Sequence, residues 1–419
     1  MTSKPPVDYT AQASSPIVNG EVKLKIEKNS FIAAELLDIA EVPYVSITSI
    51  EFKDYVVTVR TDDGNYVFSR MGQWAQPFYD NLCDAYRKAL LRGHFIAGYE
   101  STVALGEYRF TEDGRTVSGG KVPIHVYWDC IMVLPSDPAN VRRIPLCFVT
   151  GMEKGEHELT LKVSNSSGGT DSYTFLKLGN YMAQLANWLE IQIRKTRDST
   201  LEVLKEFDTT LSISQYSQLA KLLPKGVAAP MGQVRKIAPS FADAIESRIS
   251  RTRGGDSYAA FKEMVGADNI WVGFRKENAR ETGTDVEGEE GAENEEGDNG
   301  DNEAVKEKMA FLFWMLVPSP CGRFATIEFA EANTATFVYR TNGNFARTAM
   351  ELNRALAGIR FTRNAIRLTD EDLAKPSNVD YLMAAKRSAA MQFIRNNFEA
   401  RLIHNDSWKK RLIEVWSQK

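Results

Sequence analysis

YVVTVRTDDGNYVFSRMGQWAQPFYDNLCDAYRKALLRG, residues 55–93, decides how this chain is read. Residues 55–60 and 65–69 alternate in the manner of half-buried strands. Between them stands Asp62-Asp63-Gly64, a hairpin turn in which glycine tolerates positive φ. After Gly72 the period changes. Phe78, Leu82 and Tyr86 recur at helical spacing over about 73–91, and Gly93 stops the helix.

The same handover occurs further along. Leu159 and Leu161 alternate, Tyr173-Thr174-Phe175 follows, and after Gly179 come Leu185, Leu189 and Ile193. Counted from Gly72 and from Gly179, the apolar helix positions fall at the same offsets of six, ten and fourteen. A strand–turn–strand–helix unit is thus used twice. A fainter third copy runs through strand-like residues 270–275, 311–317, 324–329 and 336–339. Its Asn342-Gly343 turn leads to a helix at 345–358.

Working outward, the 419 residues suit two to four domains. Residues 1–19, polar and carrying Pro5, Pro6 and Pro16, read as a flexible N-terminus. Residues 20–93 form the first module, opened by the strand Val22, Leu24, Ile26 and continued past Val45, Ile47 and Ile50. Residues 100–208 form the second. Its early strands are 108–111, 122–134 and 144–150, and its last helix runs past Arg194. Residues 209–268 read as a helical connector broken at Pro224, Pro230 and Pro239. The third module is 269–362, and 363–419 is a helical tail with Leu382, Met391, Phe393, Ile394, Phe398, Leu402 and Ile413 as its apolar face.

Composition excludes some classes. The chain is 43% hydrophobic and 25% charged, close to soluble averages. It has no apolar run long enough to span a bilayer and no signal-peptide core, so a cytoplasmic location is expected. Cys83, Cys130, Cys147 and Cys321 are far apart and read as buried thiols. The net charge of −4 is unevenly spread: residues 281–303 hold 11 acidic residues and no Lys or Arg, leaving 44 acids against 51 bases elsewhere. This tract is too polar and glycine-rich to pack a core and reads as an insertion in the third module. It has three readings: an inert loop, a shield for the basic remainder, or a contact for a basic partner.

A curved antiparallel sheet ending in one long amphipathic helix resembles the pleckstrin-homology-like (PH-like) superfold, and residues 55–91 and 158–195 carry the resemblance. It implies an α+β chain of two or three PH-like modules, each a bent sheet or barrel capped by its C-terminal helix. It implies no catalytic residues and a role in binding lipids, peptides, proteins or chromatin components. The lipid-binding branch places cations on the first strands. Lys23, Lys25 and Lys28 match, whereas residues 31–40 contain no arginine and carry Glu35 and Asp38. That departure argues against phosphoinositide.

No phosphate loop, HExxH or GxSxG is present, and His94, His125, His157 and His404 lack metal-ligand spacing. No enzyme, cofactor or metal is therefore expected. Trp74, Trp128, Trp188, Trp271 and Trp314 read mostly as core. Trp408 and Trp416, beside Lys409, Lys410 and Arg411, are candidate anchors for a protein partner. Candidate polyanion contacts are Lys23, Lys25, Lys28, Arg142, Arg143, Arg248, Arg251 and Arg253. The reading that follows is a non-enzymatic adaptor that docks proteins. A peripheral anionic-lipid binder and a nucleic-acid- or histone-associated factor are its rivals.

Overall fold

The alternating runs of the first module close into one antiparallel sheet. The computed structural model describes residues 8–96, 102–135, 137–278, 309–330, 335–362 and 366–418. The acidic tract lies outside the described residues. Two compact units divide the chain: Met1–Arg194 with Arg354–Asn396, and Lys195–Asn353 with Asn397–Lys419. The fold is α+β, with three antiparallel sheets.

In the first unit, the first sheet comprises β1 (Asp8–Ser14), β2 (Asn19–Ile26), β3 (Ser30–Ala34), β4 (Ile39–Pro43), β5 (Ile47–Lys53), β6 (Val56–Thr61) and β7 (Gly64–Ser69). Their order is β4-β3-β2-β1-β7-β6-β5, so the first strand lies beside the last. Helix α1 (Ala75–Gly93) follows. The second sheet comprises β8 (Thr102–Glu112), β9 (Arg115–Val126), β10 (Cys130–Val133), β11 (Arg142–Pro145), β12 (Val149–Lys154), β13 (Glu158–Ser164) and β14 (Thr170–Leu176), and α2 (Tyr181–Phe207) follows. Its order, β11-β10-β9-β8-β14-β13-β12, repeats the first position for position.

Finer features repeat as well. A single 3-10 turn, Tyr44–Ser46 after Pro43 and Leu146–Phe148 after Pro145, turns the corner between the fourth and fifth strands of each sheet. A register shift follows in both, at Ile47/Ser49 and Val149/Gly151. Each strand-to-helix junction takes positive φ twice, at Arg70 (58°) and Gly72 (54°), and at Lys177 (51°) and Gly179 (54°). A Cβ on either glycine would meet nothing within 4 Å, so glycine is there for its backbone freedom. Phe78, Leu82, Tyr86, Leu185, Leu189 and Ile193 are all buried. Phe78 sits edge-on to Tyr9 at 5.2 Å and to Phe68 at 5.9 Å, which places α1 on the face of its own sheet that carries those two rings.

Several boundaries differ from the sequence reading. Residues 8–14 are not flexible: β1 pairs with both β2 and β7. Its buried face is Tyr9, Ala11 and Ala13, and small alanines give little hydropathy contrast. The apolar run 122–134 is two strands, because Tyr127 N–H closes a turn onto the Cys130 carbonyl inside it. The helix Val379–Arg387 packs on α1, where Arg92 meets Asp380 at 2.9 Å. Trp128 is half exposed, with the Arg360 guanidinium 5.4 Å from its ring. Cys83 and Cys130 are buried, but Cys321 is exposed.

The second unit corrects the connector and the tail. Helices α3 (Ile213–Leu222), α4 (Met231–Ile237), α5 (Pro239–Ile249) and α6 (Gly255–Val265) do form. Yet Leu219, Met231, Phe241, Ile245 and Phe261 join one core with Phe274, Phe313 and Val338 of the sheet. That segment is domain interior rather than a connector. The sheet comprises β15 (Ala229–Pro230), β16 (Trp271–Asn278), β17 (Met309–Pro318), β18 (Phe324–Phe329), β19 (Ala335–Arg340) and β20 (Phe398–Ile403), in simple sequential order. It differs from the first two sheets, in which the first strand lies next to the last. Strands β16 and β17, which flank the acidic tract, pair from Trp271↔Leu316 to Asn278↔Met309.

Helix α7 (Phe345–Gly358) follows β19, and then come α8 (Asp370–Leu373), α9 (Val379–Arg387), α10 (Ala389–Asn397) and α11 (Trp408–Trp416). The tail is therefore not wholly helical. Residues 398–403 add to β19, because Leu402 fills the core and unpaired backbone on a buried edge would be costly.

Leu82 and Leu189 are both fully buried. Leu82→Ala and Leu189→Ala should each cost ~2–5 kcal/mol, measured by urea unfolding. A loss below ~1 kcal/mol at either site would show that its helix does not close its sheet.

Candidate docking surface

Three turns meet at one end of the first sheet. The β1–β2 turn is locked by its own side chains: Ser15 Oγ accepts from Ile17 N (3.3 Å) and Val18 N (3.0 Å), and Asn19 Oδ1 accepts from Ser15 N (3.0 Å). The β3–β4 turn, Glu35-Leu36-Leu37-Asp38, closes through Glu35 N–H donating to the Asp38 carbonyl at 2.8 Å. Glu35 Oε2 then accepts from Asn19 N at 3.3 Å and joins the two turns. Gly20 takes φ +135°, a conformation that favours glycine, and a Cβ there would stand 2.8 Å from Glu35 Oε1. On the other side, Pro16 lies against Gly64 of the β6–β7 turn.

The exposed surface of this end is unusual in composition. Leu36 is 95% exposed, Leu37 90%, Ile39 67% and Ile17 52%. Around them stand Glu35, Asp38, Asp62 and Asp63, while residues 15–19, 35–38 and 62–64 contain no lysine or arginine. Lys386 bridges to Asp62 at 3.0 Å. The carboxylates of 31–40 are legible in the sequence; that Leu36 and Leu37 stand on a turn between β3 and β4 is not. The available signal was two adjacent leucines bracketed by acids, which breaks strand alternation.

The sequence-derived candidates fare differently. Lys23 and Lys25 face outward from β2, with Lys25 paired to Glu27 at 2.5 Å, and Lys28 is exposed at the far end of that strand. Arg142 and Arg143 are adjacent on β11 but committed internally. Arg142 Nε lies 3.0 Å from both Glu112 oxygens. Arg143 is buried against Asp129 (3.0 Å) and caps α7 through the carbonyls of Ala357 (2.6 Å) and Gly358 (3.0 Å). Arg248 is stacked over Phe207 at 4.1 Å and donates to the Glu206 carbonyl. Arg251 and Arg253 are exposed. The polyanion expectation is thus corrected for Arg142, Arg143 and Arg248, whose charges are spent within the fold.

Trp408 and Trp416 are likewise corrected. Both are buried, and their indole N–H groups donate to Thr336 Oγ1 (2.8 Å) and Thr326 Oγ1 (3.1 Å). Periods of three and four residues put them on the core face of α11. Lys409, Lys410 and Arg411 remain on its exposed face.

A second constellation surrounds Trp408. Thr336 Oγ1 donates to Glu328 Oε2 at 2.5 Å and lies 2.8 Å from His404 Nε2. The same ring nitrogen lies 3.3 Å from Glu328 Oε1. The other ring nitrogen, Nδ1, faces Ser257 Oγ at 3.5 Å. Serine, histidine and glutamate in this order resemble a nucleophilic triad, but Ser257 is buried and its hydroxyl stands 3.5 Å from the ring. The network holds α11 onto the sheet. Among the described residues no group of three or more metal-ligating side chains gathers, and no helix is long and apolar enough to cross a membrane.

Burial raises the Glu328 pKa above the usual carboxylate value, opposed by His404 and Thr336. The folded state then holds the proton more tightly than the unfolded state, and stability is lost as pH rises through the folded value. Glu328→Gln, which cannot ionise, should gain in melting temperature over the wild type as pH climbs from ~4.5 to ~7.5. A difference that is flat across that range would contradict the assignment.

Scanned against known protein families and compared with curated proteins, the chain matched none.

Proposed function

We propose that the chain is a non-enzymatic adaptor, working in the cytoplasm, that docks protein partners through two tandem PH-like modules. The observation that carries this reading is the turn end of the first sheet, where leucines are held at 90% exposure or more on a turn stitched to its neighbour. Solvated apolar side chains on a braced turn suit a docking role. The identical strand order of the first two sheets, and their matched junctions, support the PH-like reading of both. Such a scaffold has no shared catalytic group, so function rests with its surfaces.

The rival readings are weakened by where the cations go. Anionic lipid would meet Glu35, Asp38, Asp62 and Asp63 at the turn end, although all three first-module candidates, Lys23, Lys25 and Lys28, are exposed. A nucleic-acid surface would lack Arg142, Arg143 and Arg248.

The test uses the full chain as bait after nuclease treatment, with vesicles containing phosphoinositide assayed alongside. The expected result is a protein retained in near-stoichiometric amount, and vesicle binding too weak to depend on Lys23, Lys25 and Lys28. Tight headgroup-selective vesicle binding that disappears when those lysines are changed, with no protein retained, would overturn the adaptor reading.

A further inference from the structure

Resting on the adaptor reading, we propose that the turn end of the first sheet receives a partner segment in which apolar side chains are flanked by lysine and arginine. The apolar half of the argument is Ile17, Leu36, Leu37 and Ile39. Solvent-facing leucines on a four-residue turn do nothing for the hairpin itself, since the turn is closed by backbone and by Glu35. The charged half is Glu35, Asp38, Asp62 and Asp63 on the same turns; among the described residues only Asp62 has a lysine beside it, and Glu35 also accepts from Asn19 N. Apolar contact supplies the area, and the carboxylates select the sign of the partner.

Other occupants fit less well. A second copy seated on the same end would bring two patches with the same excess of carboxylates together, since a two-fold interface uses the same patch on both subunits. A membrane carrying anionic lipid would be repelled by the same groups. The site is also preorganised. Its turns are fixed by Ser15, Asn19 and Glu35, so a partner pays little ordering entropy on this side.

The experiment measures binding of the full chain to two synthetic probes by fluorescence polarisation. One is a peptide alternating leucine with lysine and arginine; the other has glutamate at every basic position. The basic probe should bind and the acidic probe should not, and binding should weaken as ionic strength rises past ~0.15 M. Leu36→Asp with Leu37→Asp should weaken the basic probe about tenfold or more. The same double variant should release the protein retained by the wild-type bait. Asp38→Asn with Asp63→Asn should weaken the basic probe and flatten its salt dependence. All four positions are exposed, and unchanged circular dichroism establishes that the variants fold.

Equal binding of both probes, or an undiminished Leu36/Leu37 variant, would overturn the proposal. So would uptake by zwitterionic vesicles that the leucine changes abolish, which would assign the turn to a lipid surface. Self-association lost on the same changes would assign it to a second copy. If the wild-type bait retains a protein and the leucine variant retains it equally, this site fails while the adaptor reading stands. If the wild type retains no protein, the adaptor reading itself fails.

Discussion

The architecture of the first unit depends on two residues of positive φ at each strand-to-helix junction. Arg70 and Gly72, and Lys177 and Gly179, turn the chain from the last strand back over its own sheet. Arginine and lysine in this region each cost about 1 kcal/mol of steric strain. The helix that follows offsets it by burying Phe78, Leu82 and Tyr86, or Leu185, Leu189 and Ile193. Without this reversal the helix would run away from the sheet, and the face lined by Phe31 and Phe68 would stand open.

The polar interior of the second unit follows another logic. One hydroxyl, Thr336 Oγ1, serves the Glu328 carboxylate, the His404 ring and the Trp408 indole together. Each of these groups would be costly to bury alone. Together they fix α11 in register over the sheet, with Trp416 donating to Thr326 about two turns further along. The indoles are therefore structural pins. What α11 offers to solvent is the basic set Lys409, Lys410 and Arg411.

Charge on this protein divides into what the fold consumes and what it presents. Arginine is consumed: Arg143 on helix-end carbonyls, Arg142 on Glu112, and Arg248 on aromatic faces. The guanidinium fork suits such internal work better than an ammonium does. The carboxylates of the first-sheet turns are presented, because the strands that carry them end there in solvent. A basic count in the sequence thus overstates how cationic the surface is.

The alternation through 55–69, the change to helical spacing after Gly72 and its repetition after Gly179 are local properties, and they determined the hairpins, the two closing helices and the α+β class. They rest on side-chain period, which the backbone geometry of strand and helix imposes on nearby residues. The rest depends on partners far away in sequence. Residues 8–14 become a strand because β7 lies beside them, and 398–403 because β19 does. Arg143 is withdrawn from solvent by carbonyls more than 200 positions later. Trp408 and Trp416 read as exposed anchors beside three cations, and Thr336 and Thr326 draw them inward. Period is written residue by residue, but exposure is a property of the packed whole, and so the surface and its candidate site were decided only by tertiary structure.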